Sequence, residues 1–296
     1  MATKALFQGS AVALVTPFAN GQVDVPAIHR LVEFQVQNGT AAIVACGTTG
    51  EPTTMTDEEQ EVVVREVVKA VAGRVPVIAG TGSNCTRHVI DTANRYEDLG
   101  CAAQLVNTPY YNKTSTEGLY RHFMEIADKT ALPIIIYNVP SRTTIDLGPE
   151  TLERLASCEK FIGIKESSYN IPYVMEKIRR IAGRMTLFSG NDDTVVPLMA
   201  LGAQGVISVV ANVLPRDMAD MVQCWLTGDI KTSRDLQLRL MPVIQALFTE
   251  VNPIPVKAAV EMMGLCSGEV RLPLVSIGQD NRDRLEQALA GMGVEW

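Results

Sequence analysis

PIIIYNV, residues 133–139, and FIGIKE, residues 161–166, are two short apolar runs that each end in polar side chains. Isoleucine-rich runs of this length indicate strands that are buried on both faces of a sheet. Longer segments with helical spacing lie between runs of this kind along the chain. The pattern therefore predicts repeated βα units and a parallel sheet.

Eight such runs follow one another. We place the strands near residues 10–17, 42–48, 76–81, 103–108, 133–139, 161–166, 185–189 and 205–210. Eight repeats close a barrel more naturally than an open sheet, because every crossover has the same hand and no edge strand is left over. The predicted fold is an α/β (β/α)8 TIM barrel. An open doubly wound sheet is the alternative, but no GxGxxG follows the first strand.

Helical segments can be bounded from their end signals. In residues 56–73, Thr56 can cap a helix, Glu59 occupies the capping-box position and Gly73 can end the helix. After about residue 228 the pattern changes to helix after helix. We predict a catalytic barrel over residues 1–228 and a C-terminal helical extension over residues 229–296. NPIPVK at 252–257 and RLPL at 271–274 interrupt that extension.

Composition narrows the class of protein. The chain has 296 residues, 47% of them hydrophobic and 20% charged, which is enough to build a large buried core. Its net charge of −7 disfavours binding to nucleic acid. Neither a secretory signal nor an apolar run long enough to span a bilayer is present, so the expected location is the cytoplasm, with no membrane partner.

Cysteine and histidine usage favours a metal-free mechanism. The six cysteines form no CxxC pair, and we expect them to be reduced and mostly buried. The three histidines form neither HxH nor HExxH. We therefore expect no metal and no other cofactor.

Lys165 closes the strand FIGIK and is the sharpest candidate for chemistry. A lysine is rarely buried without a reason, and burial leaves more of it as the free amine that attacks a carbonyl. A lysine that reaches solvent or pairs with Glu166 is an equally good interpretation of the position alone. Tyr137, at the end of the neighbouring strand, could relay protons, although most such tyrosines belong to the core.

Three loops contribute further candidates. GTTGE at 47–51 has glycines that let backbone amides approach an anion, yet it could be an ordinary turn. Arg142 could hold a carboxylate through two hydrogen bonds, although alone it is more often a surface residue. Tyr110 and Tyr111 could form a subunit contact or a lid.

Six motifs in order closely resemble the dihydrodipicolinate synthase family, within the class I pyruvate-dependent aldolase and N-acetylneuraminate lyase superfamily. They are GTTGE at 47–51, TPYYN at 108–112, YNVPSRT at 137–143, GIKESS at 163–168, GVISV at 205–209 and NPIPVK at 252–257. The match runs from about residue 7 to the C-terminal segment. It implies condensation of pyruvate with aspartate 4-semialdehyde, the entrance to the diaminopimelate route to lysine.

The resemblance also implies roles for single residues. Lys165 resembles the Schiff-base lysine, and the proton-relay triad corresponds to Tyr137, Thr48 and Tyr111, the last delivered from a neighbouring subunit. Thr49 would bind the carboxylate of pyruvate, and Arg142 would bind the carboxylate of the semialdehyde. Gly190 and Ile207 resemble the backbone positions that line the family's pocket. A shared Tyr111 requires at least a dimer, and the resemblance suggests a homotetramer built as a dimer of dimers.

Other functions stay open at this point. N-acetylneuraminate lyase and keto-deoxy sugar acid aldolases share the lysine, the tyrosine and the barrel, but they usually lack an arginine at the place of Arg142. A catalytically silent barrel that binds a keto acid is a further alternative. Family members that lysine inhibits have a glutamate where His88 stands here. An imidazole cannot replace that charge, so we predict weak or absent lysine inhibition.

Overall fold

A computed structural model describes residues 5–294. Eight parallel strands form a closed barrel in which each strand pairs with its neighbours in chain order and the first pairs with the last. The strands are β1 Gly9–Ala13, β2 Ala42–Ala45, β3 Val77–Gly80, β4 Ala103–Asn107, β5 Ile134–Asn138, β6 Phe161–Glu166, β7 Thr186–Ser189 and β8 Gly205–Ser208. The predicted barrel is confirmed, and the open-sheet alternative is wrong.

The register of β1 shows how the barrel closes. Ala11 is the partner of Ile207 in β8 on one side and of Ala42 in β2 on the other. All eight strands lie within a residue or two of the predicted runs at their N-terminal ends. The predicted runs at 10–17 and 42–48 extend too far, because the chain turns away from the sheet after Ala13 and Ala45.

Helices pack around the barrel and continue beyond it. They are α1 Val25–Gln37, α2 Asp57–Val71, α3 Thr86–Asp98, α4 Thr116–Lys129, α5 Pro140–Thr143, α6 Pro149–Leu155, α7 Ile171–Ile181, α8 Val195–Ala200, α9 Pro215–Leu226, α10 Ile230–Leu247, α11 Ile254–Met262 and α12 Gln279–Ala290. A short antiparallel pair, Phe18–Ala19 with Gln22–Val23, follows β1. Over residues 5–294, no helix has both the length and the apolar composition needed to cross a membrane.

The ends of α2 follow the predicted signals closely. Thr56 accepts a hydrogen bond from the amide of Glu59 at 3.2 Å, and the Glu59 carboxylate accepts one from the amide of Thr56 at 3.0 Å. Ala72 ends the helix in the left-handed conformation with φ 51°, one residue before the predicted Gly73. Gly73 is also left-handed, so two residues share the reversal of the chain.

The hydrophobic core has two parts. A large outer cluster fills the space between strands and helices, and a smaller inner cluster fills the barrel itself. Within the inner cluster, Phe7 stacks on Phe188 with ring centroids 4.4 Å apart. Phe7 precedes β1, so this stack fills the interior on the N-terminal side of the strands.

The C-terminal helices return to the barrel. The chain breaks between α10 and α11 at the predicted NPIPVK segment, where Pro253 and Pro255 lie at the start of α11. This break brings Asn252 to the C-terminal ends of the barrel strands, as described below. The division into units at residues 228 and 229 stays a prediction. All six cysteines are free, with Cys46, Cys101 and Cys266 buried, Cys158 and Cys224 half-buried and Cys85 exposed.

Candidate active site

Lys165 and Tyr137 face each other across neighbouring strands. They are register partners in β6 and β5, and the Lys165 ammonium nitrogen lies 4.3 Å from the centre of the Tyr137 ring. Lys165 is 5% exposed and Tyr137 is 8% exposed. A lysine at this strand end is therefore withdrawn from solvent, and the alternative in which it reaches water is wrong. It is also not the partner of Glu166, which binds another lysine.

Glu166 belongs to a buried network behind β6. Its carboxylate accepts hydrogen bonds from the Lys177 ammonium at 3.0 Å and from the Asn138 amide at 2.7 Å. Lys177 also donates to Asp146 at 2.5 Å. Burial raises the pKa of Glu166, and the nearby charge of Lys177 opposes that rise. The network ties α7 to the ends of β5 and β6, which carry Tyr137 and Lys165.

Gly190 directly follows β7 and Ile207 lies in β8, the two strands after β6, and Gly190 lies close to Lys165. A Cβ atom added to Gly190 would lie 2.0 Å from the Ser167 hydroxyl and 3.1 Å from Cγ of Lys165, so glycine is required for this close approach. Ile207 is fully buried in the inner cluster that also contains Tyr137. Both predicted positions therefore lie in the barrel interior or at its edge near the candidate chemistry.

The GTTGE motif forms a tight turn after β2. Thr48–Gly50 make one turn of 3-10 helix, and Glu51 follows with a left-handed φ of 54°. The Thr16 hydroxyl donates to the Gly50 carbonyl at 2.7 Å. The turn packs directly against the end of β3, because a Cβ on Gly80 would lie only 2.1 Å from the Cys46 carbonyl oxygen. Thr49 is buried and Thr48 is half-buried.

A cavity of about 300 Å³ opens at the C-terminal ends of the strands. Thr48, Tyr110, Tyr137, Arg142 and Asn252 are among the residues that line it. The structure therefore brings together, at one mouth, hydroxyl groups from three separate βα loops or strand ends and one guanidinium group. This is the location at which a TIM barrel carries its active site.

Arg142 is exposed on the short helix α5 at the cavity mouth. Its Nη2 donates to the backbone carbonyl of Asn252 at 3.0 Å. The Asn252 amide donates to the Thr49 hydroxyl oxygen, also at 3.0 Å. A residue of the C-terminal helices thus bridges the two side chains that sequence reasoning assigned to substrate carboxylates.

Five of the predicted residues are not among those that line the cavity: Lys165, Thr49, Gly190, Ile207 and Tyr111. The first four are buried or half-buried, whereas Tyr111 is exposed. It is 94% exposed and has a left-handed φ of 68°, and it does not line the cavity of its own chain. Tyr110, next to it, does line that cavity. A large aromatic side chain held outward on a loop is a typical contact residue of protein interfaces.

Sequence reasoning did not identify Asn252, Lys257 or Lys177 as parts of the site. NPIPVK was interpreted as a helix break and as one motif of the family resemblance, and no role was given to Asn252 or Lys257, which bind Thr49 and Glu51 of the turn after β2. The available signal was a pair of polar residues within an otherwise apolar, buried segment. Lys177 gave a similar signal, because it lies on the apolar face of α7 with Val174 and Ile181.

His88 lies on α3 near Asp57, outside the cavity. Its Nε2 is 3.9 Å from the Asp57 carboxylate, which Arg95 binds at 2.9 Å. Cationic and imidazole groups therefore surround Asp57 at this place on the surface, and the sequence has no glutamate at 88 to add a second negative charge.

Comparisons with known proteins agree with the geometry. The model of the dihydrodipicolinate synthetase family matches residues 6–292. A 4-hydroxy-tetrahydrodipicolinate synthase of Caldicellulosiruptor bescii is 49% identical over 290 residues, 98% of each chain. The crystal structure of dihydrodipicolinate synthase from Aquifex aeolicus is similar with a TM-score of 0.95 and 44% identity, covering 97% of this chain and 99% of that one. A structure described as the first monomeric dihydrodipicolinate synthase variant has a TM-score of 0.95 and 39% identity, covering 98% of each chain.

Proposed function

This chain belongs to the dihydrodipicolinate synthetase family, and from that premise we propose that it condenses pyruvate with L-aspartate 4-semialdehyde through a Schiff base on Lys165. The product is 4-hydroxy-tetrahydrodipicolinate, and the reaction leads into the diaminopimelate route to lysine. The observation that carries the proposal is the buried Lys165 amine 4.3 Å from the Tyr137 ring, at neighbouring strand ends of the barrel.

The chemistry begins with the lysine. The Lys165 amine attacks the keto carbon of pyruvate, and loss of water gives an iminium ion that withdraws electrons from the adjacent methyl group. Removal of a methyl proton gives an enamine, whose carbon attacks the aldehyde carbon while the aldehyde oxygen takes up a proton, and the iminium on Lys165 is formed again. The amino group of the condensed semialdehyde then attacks the iminium carbon, which closes the ring and releases the Lys165 amine. The iminium is the electron sink throughout, so this route requires no metal ion.

Protons are moved by hydroxyl groups around the amine. Tyr137 is the central relay, because its ring contacts Lys165 and its side chain lines the cavity. Thr48 lines the same cavity and passes protons between Tyr137 and the third member, Tyr111. Since Tyr111 points away from its own cavity, it acts in the site of a neighbouring subunit.

Substrate carboxylates are bound on the loop side of the cavity. Thr49 donates its hydroxyl hydrogen to the pyruvate carboxylate, while Gly190 and Ile207 leave room for the adduct beside Lys165. Arg142 holds the semialdehyde carboxylate at the mouth, where a guanidinium group can make two parallel hydrogen bonds. A sugar-acid aldolase has no corresponding carboxylate to bind, so Arg142 favours the semialdehyde as acceptor.

The enzyme acts as a homo-oligomer in the cytoplasm, where its unpaired cysteines stay reduced. The exposed Tyr111 supports an assembly of at least two subunits, and the family resemblance suggests a tetramer arranged as a dimer of dimers. Size measurement by light scattering at working concentration tests this. A monomer with full activity would contradict the shared site.

Free lysine inhibits this enzyme weakly or not at all, because position 88 carries an imidazole instead of a carboxylate that could bind the ammonium group of lysine. The neighbouring carboxylate of Asp57 is already bound by Arg95. Initial rates over a series of lysine concentrations test this, with His88→Glu as the comparison. Inhibition of the parent at micromolar lysine would contradict the proposal.

One experiment tests the proposed function directly. The parent and Lys165→Ala are incubated with pyruvate and borohydride, their intact masses are measured, and turnover with aspartate 4-semialdehyde is assayed. We expect a pyruvate adduct on Lys165 and turnover for the parent only. An adduct without semialdehyde turnover would assign the chain to a sister aldolase, and a folded parent without an adduct would remove the Schiff-base mechanism.

A further inference from the structure

Lys257 and Glu51 form an ion pair that is closed off from solvent. The Lys257 ammonium donates to the Glu51 carboxylate at 2.8 Å, and the two side chains are 0% and 1% exposed. The ammonium also lies 4.2 Å from the centre of the Phe18 ring. Burial lowers the pKa of Lys257, and the charge of Glu51 opposes that change. Burying either charge alone would cost several kcal/mol of folding free energy, so each residue depends on the other to stay charged and buried.

The position of this pair gives it a link to the site. Glu51 ends the GTTGE turn, in the left-handed conformation, and Thr49 and Thr48 lie two and three residues before it. Lys257 lies in α11, which begins directly after the Asn252 segment. Thr48 and Glu51 line the cavity, so the pair anchors this part of the cavity wall to the C-terminal helices.

Asn252 makes a second connection between the same two segments. Its side-chain amide nitrogen donates to the Thr49 hydroxyl oxygen at 3.0 Å, and its backbone carbonyl accepts from Arg142 at 3.0 Å. The first bond uses an acceptor position of the hydroxyl and leaves the hydroxyl hydrogen able to donate to a carboxylate. The side-chain oxygen of Asn252 is buried and has no hydrogen-bond partner among the described residues.

We propose that Lys257 is a positioning residue, which, with Asn252, holds the turn of Thr48 and Thr49 in the geometry that binds the first substrate. The inference rests on the proposed function of the cavity. Lys257 touches no substrate; it acts through Glu51. Its removal displaces the turn, and displacement of a binding group by about 1 Å can lower catalytic efficiency about 100-fold.

A purely structural pair would behave differently when both charges are removed together. Replacing both partners of a buried ion pair by apolar side chains of similar volume usually leaves stability close to that of the parent. The decisive variant is therefore the double substitution Glu51→Met with Lys257→Met. Thermal unfolding reports its stability, while kcat and KM for pyruvate report the position of the turn.

We expect the double variant to stay folded and to lose about 100-fold in kcat/KM for pyruvate. The matched control is Lys231→Met with Asp235→Met, an exposed ion pair on α10 that does not line the cavity, whose kinetics should equal those of the parent. A folded double variant with kcat/KM within twofold of the parent overturns the proposal.

Asn252→Ala gives an independent measurement if the double variant does not fold. This change keeps the ion pair and removes the bond to Thr49, so we expect KM for pyruvate to rise about 10-fold with little change in melting temperature. An unchanged KM overturns the proposal. Failure of the proposed function is recognised by a different result: the parent itself then forms no pyruvate adduct when borohydride is added.

Discussion

The candidate site has a half carried by strands and a half carried by loops, and the two differ in how they are held. Lys165 and Tyr137 lie on neighbouring strands, are 5% and 8% exposed, and are fixed by the barrel ladder itself. Arg142 lies on the short helix α5 within a βα connection, Tyr111 lies on a loop, and both are exposed. If the proposed roles hold, Schiff-base formation and its central proton relay lie on the rigid strands, whereas binding of the acceptor and the outer end of the relay depend on contacts from elsewhere.

Those outside contacts are different for each loop. The turn after β2 and Arg142 are held by Asn252 and Lys257 of the C-terminal helices. Tyr111 has no comparable support in its own chain among the contacts described above, which fits an interface residue. The strand half should therefore tolerate changes in assembly, and the loop half should not.

The largest effect on kcat is expected in the strand half, from removal of the single hydroxyl oxygen of Tyr137. Tyr137→Phe removes the relay hydroxyl and keeps the ring beside Lys165, so we expect kcat to fall about 10²- to 10⁴-fold. Borohydride trapping of pyruvate should still give an adduct, although more slowly. Steady-state kinetics and intact mass measure the two properties. A kcat within threefold of the parent would show that the hydroxyl is not the relay.

Tyr111 tests whether the loop half is shared between subunits. Tyr111→Phe alone should lower kcat by about 10²-fold or more, because it removes one member of the relay. Hetero-oligomers are then prepared by co-expressing Tyr111→Phe and Lys165→Ala chains with different tags. In such a pair, the subunit with an intact Lys165 receives an intact Tyr111 from its neighbour, so activity should return. If the hetero-oligomers are as inactive as the two single variants, Tyr111 acts in the site of its own subunit.

Lys177 tests what makes the strand half rigid. Lys177→Met leaves Glu166 as an unpaired buried carboxylate, and we expect the free energy of unfolding to fall by about 3–5 kcal/mol. Urea denaturation measures this loss. The control is the double variant Glu166→Gln with Lys177→Met, which removes both charges of the pair and should recover much of the stability. Equal losses in the two variants would mean that the ion pair is not the source of the effect.

Arg142 gives the smallest expected effect, on the acceptor alone. Arg142→Ala removes charge-assisted hydrogen bonds to the semialdehyde, which corresponds to a rise in its KM of about 10- to 100-fold. Pyruvate trapping should be unchanged, because Lys165 and Tyr137 are untouched. Arg142→Lys keeps the charge without the paired donors and should lie between the two. A KM for the semialdehyde equal to that of the parent would remove Arg142 from the binding site.

The strands and the reactive pair could be predicted from the sequence because their signals are local. Each strand is a short apolar run, and Lys165 and Tyr137 end two of them, so the barrel rule places both at one face. The capping box of α2 was also local, spanning only Thr56 to Glu59. Such features depend on neighbouring residues and on backbone geometry that hardly varies between barrels.

The cross-links of the loop half could not be predicted in the same way. Lys257 and Glu51 are 206 residues apart, and Asn252 and Thr49 are 203 apart, so no local pattern connects them. Polar residues in an apolar segment indicated that a partner exists without indicating which one. The exposure of Tyr111 was predicted from its place on a βα loop and is confirmed, but the residue type alone did not distinguish a subunit contact from a lid.

The aromatic stack of Phe7 on Phe188 has a consequence for the order of events in turnover. With the barrel filled on its N-terminal side, we expect Lys165 to be reached through the mouth that Arg142 borders, because Tyr137, its neighbour across the strands, lines the cavity there. Pyruvate must pass that mouth before the semialdehyde occupies it, so we expect the two substrates to bind in a fixed order, with pyruvate first. A semialdehyde molecule that arrives first blocks the amine behind it. Excess acceptor should then slow the enzyme, and additional pyruvate should restore the rate.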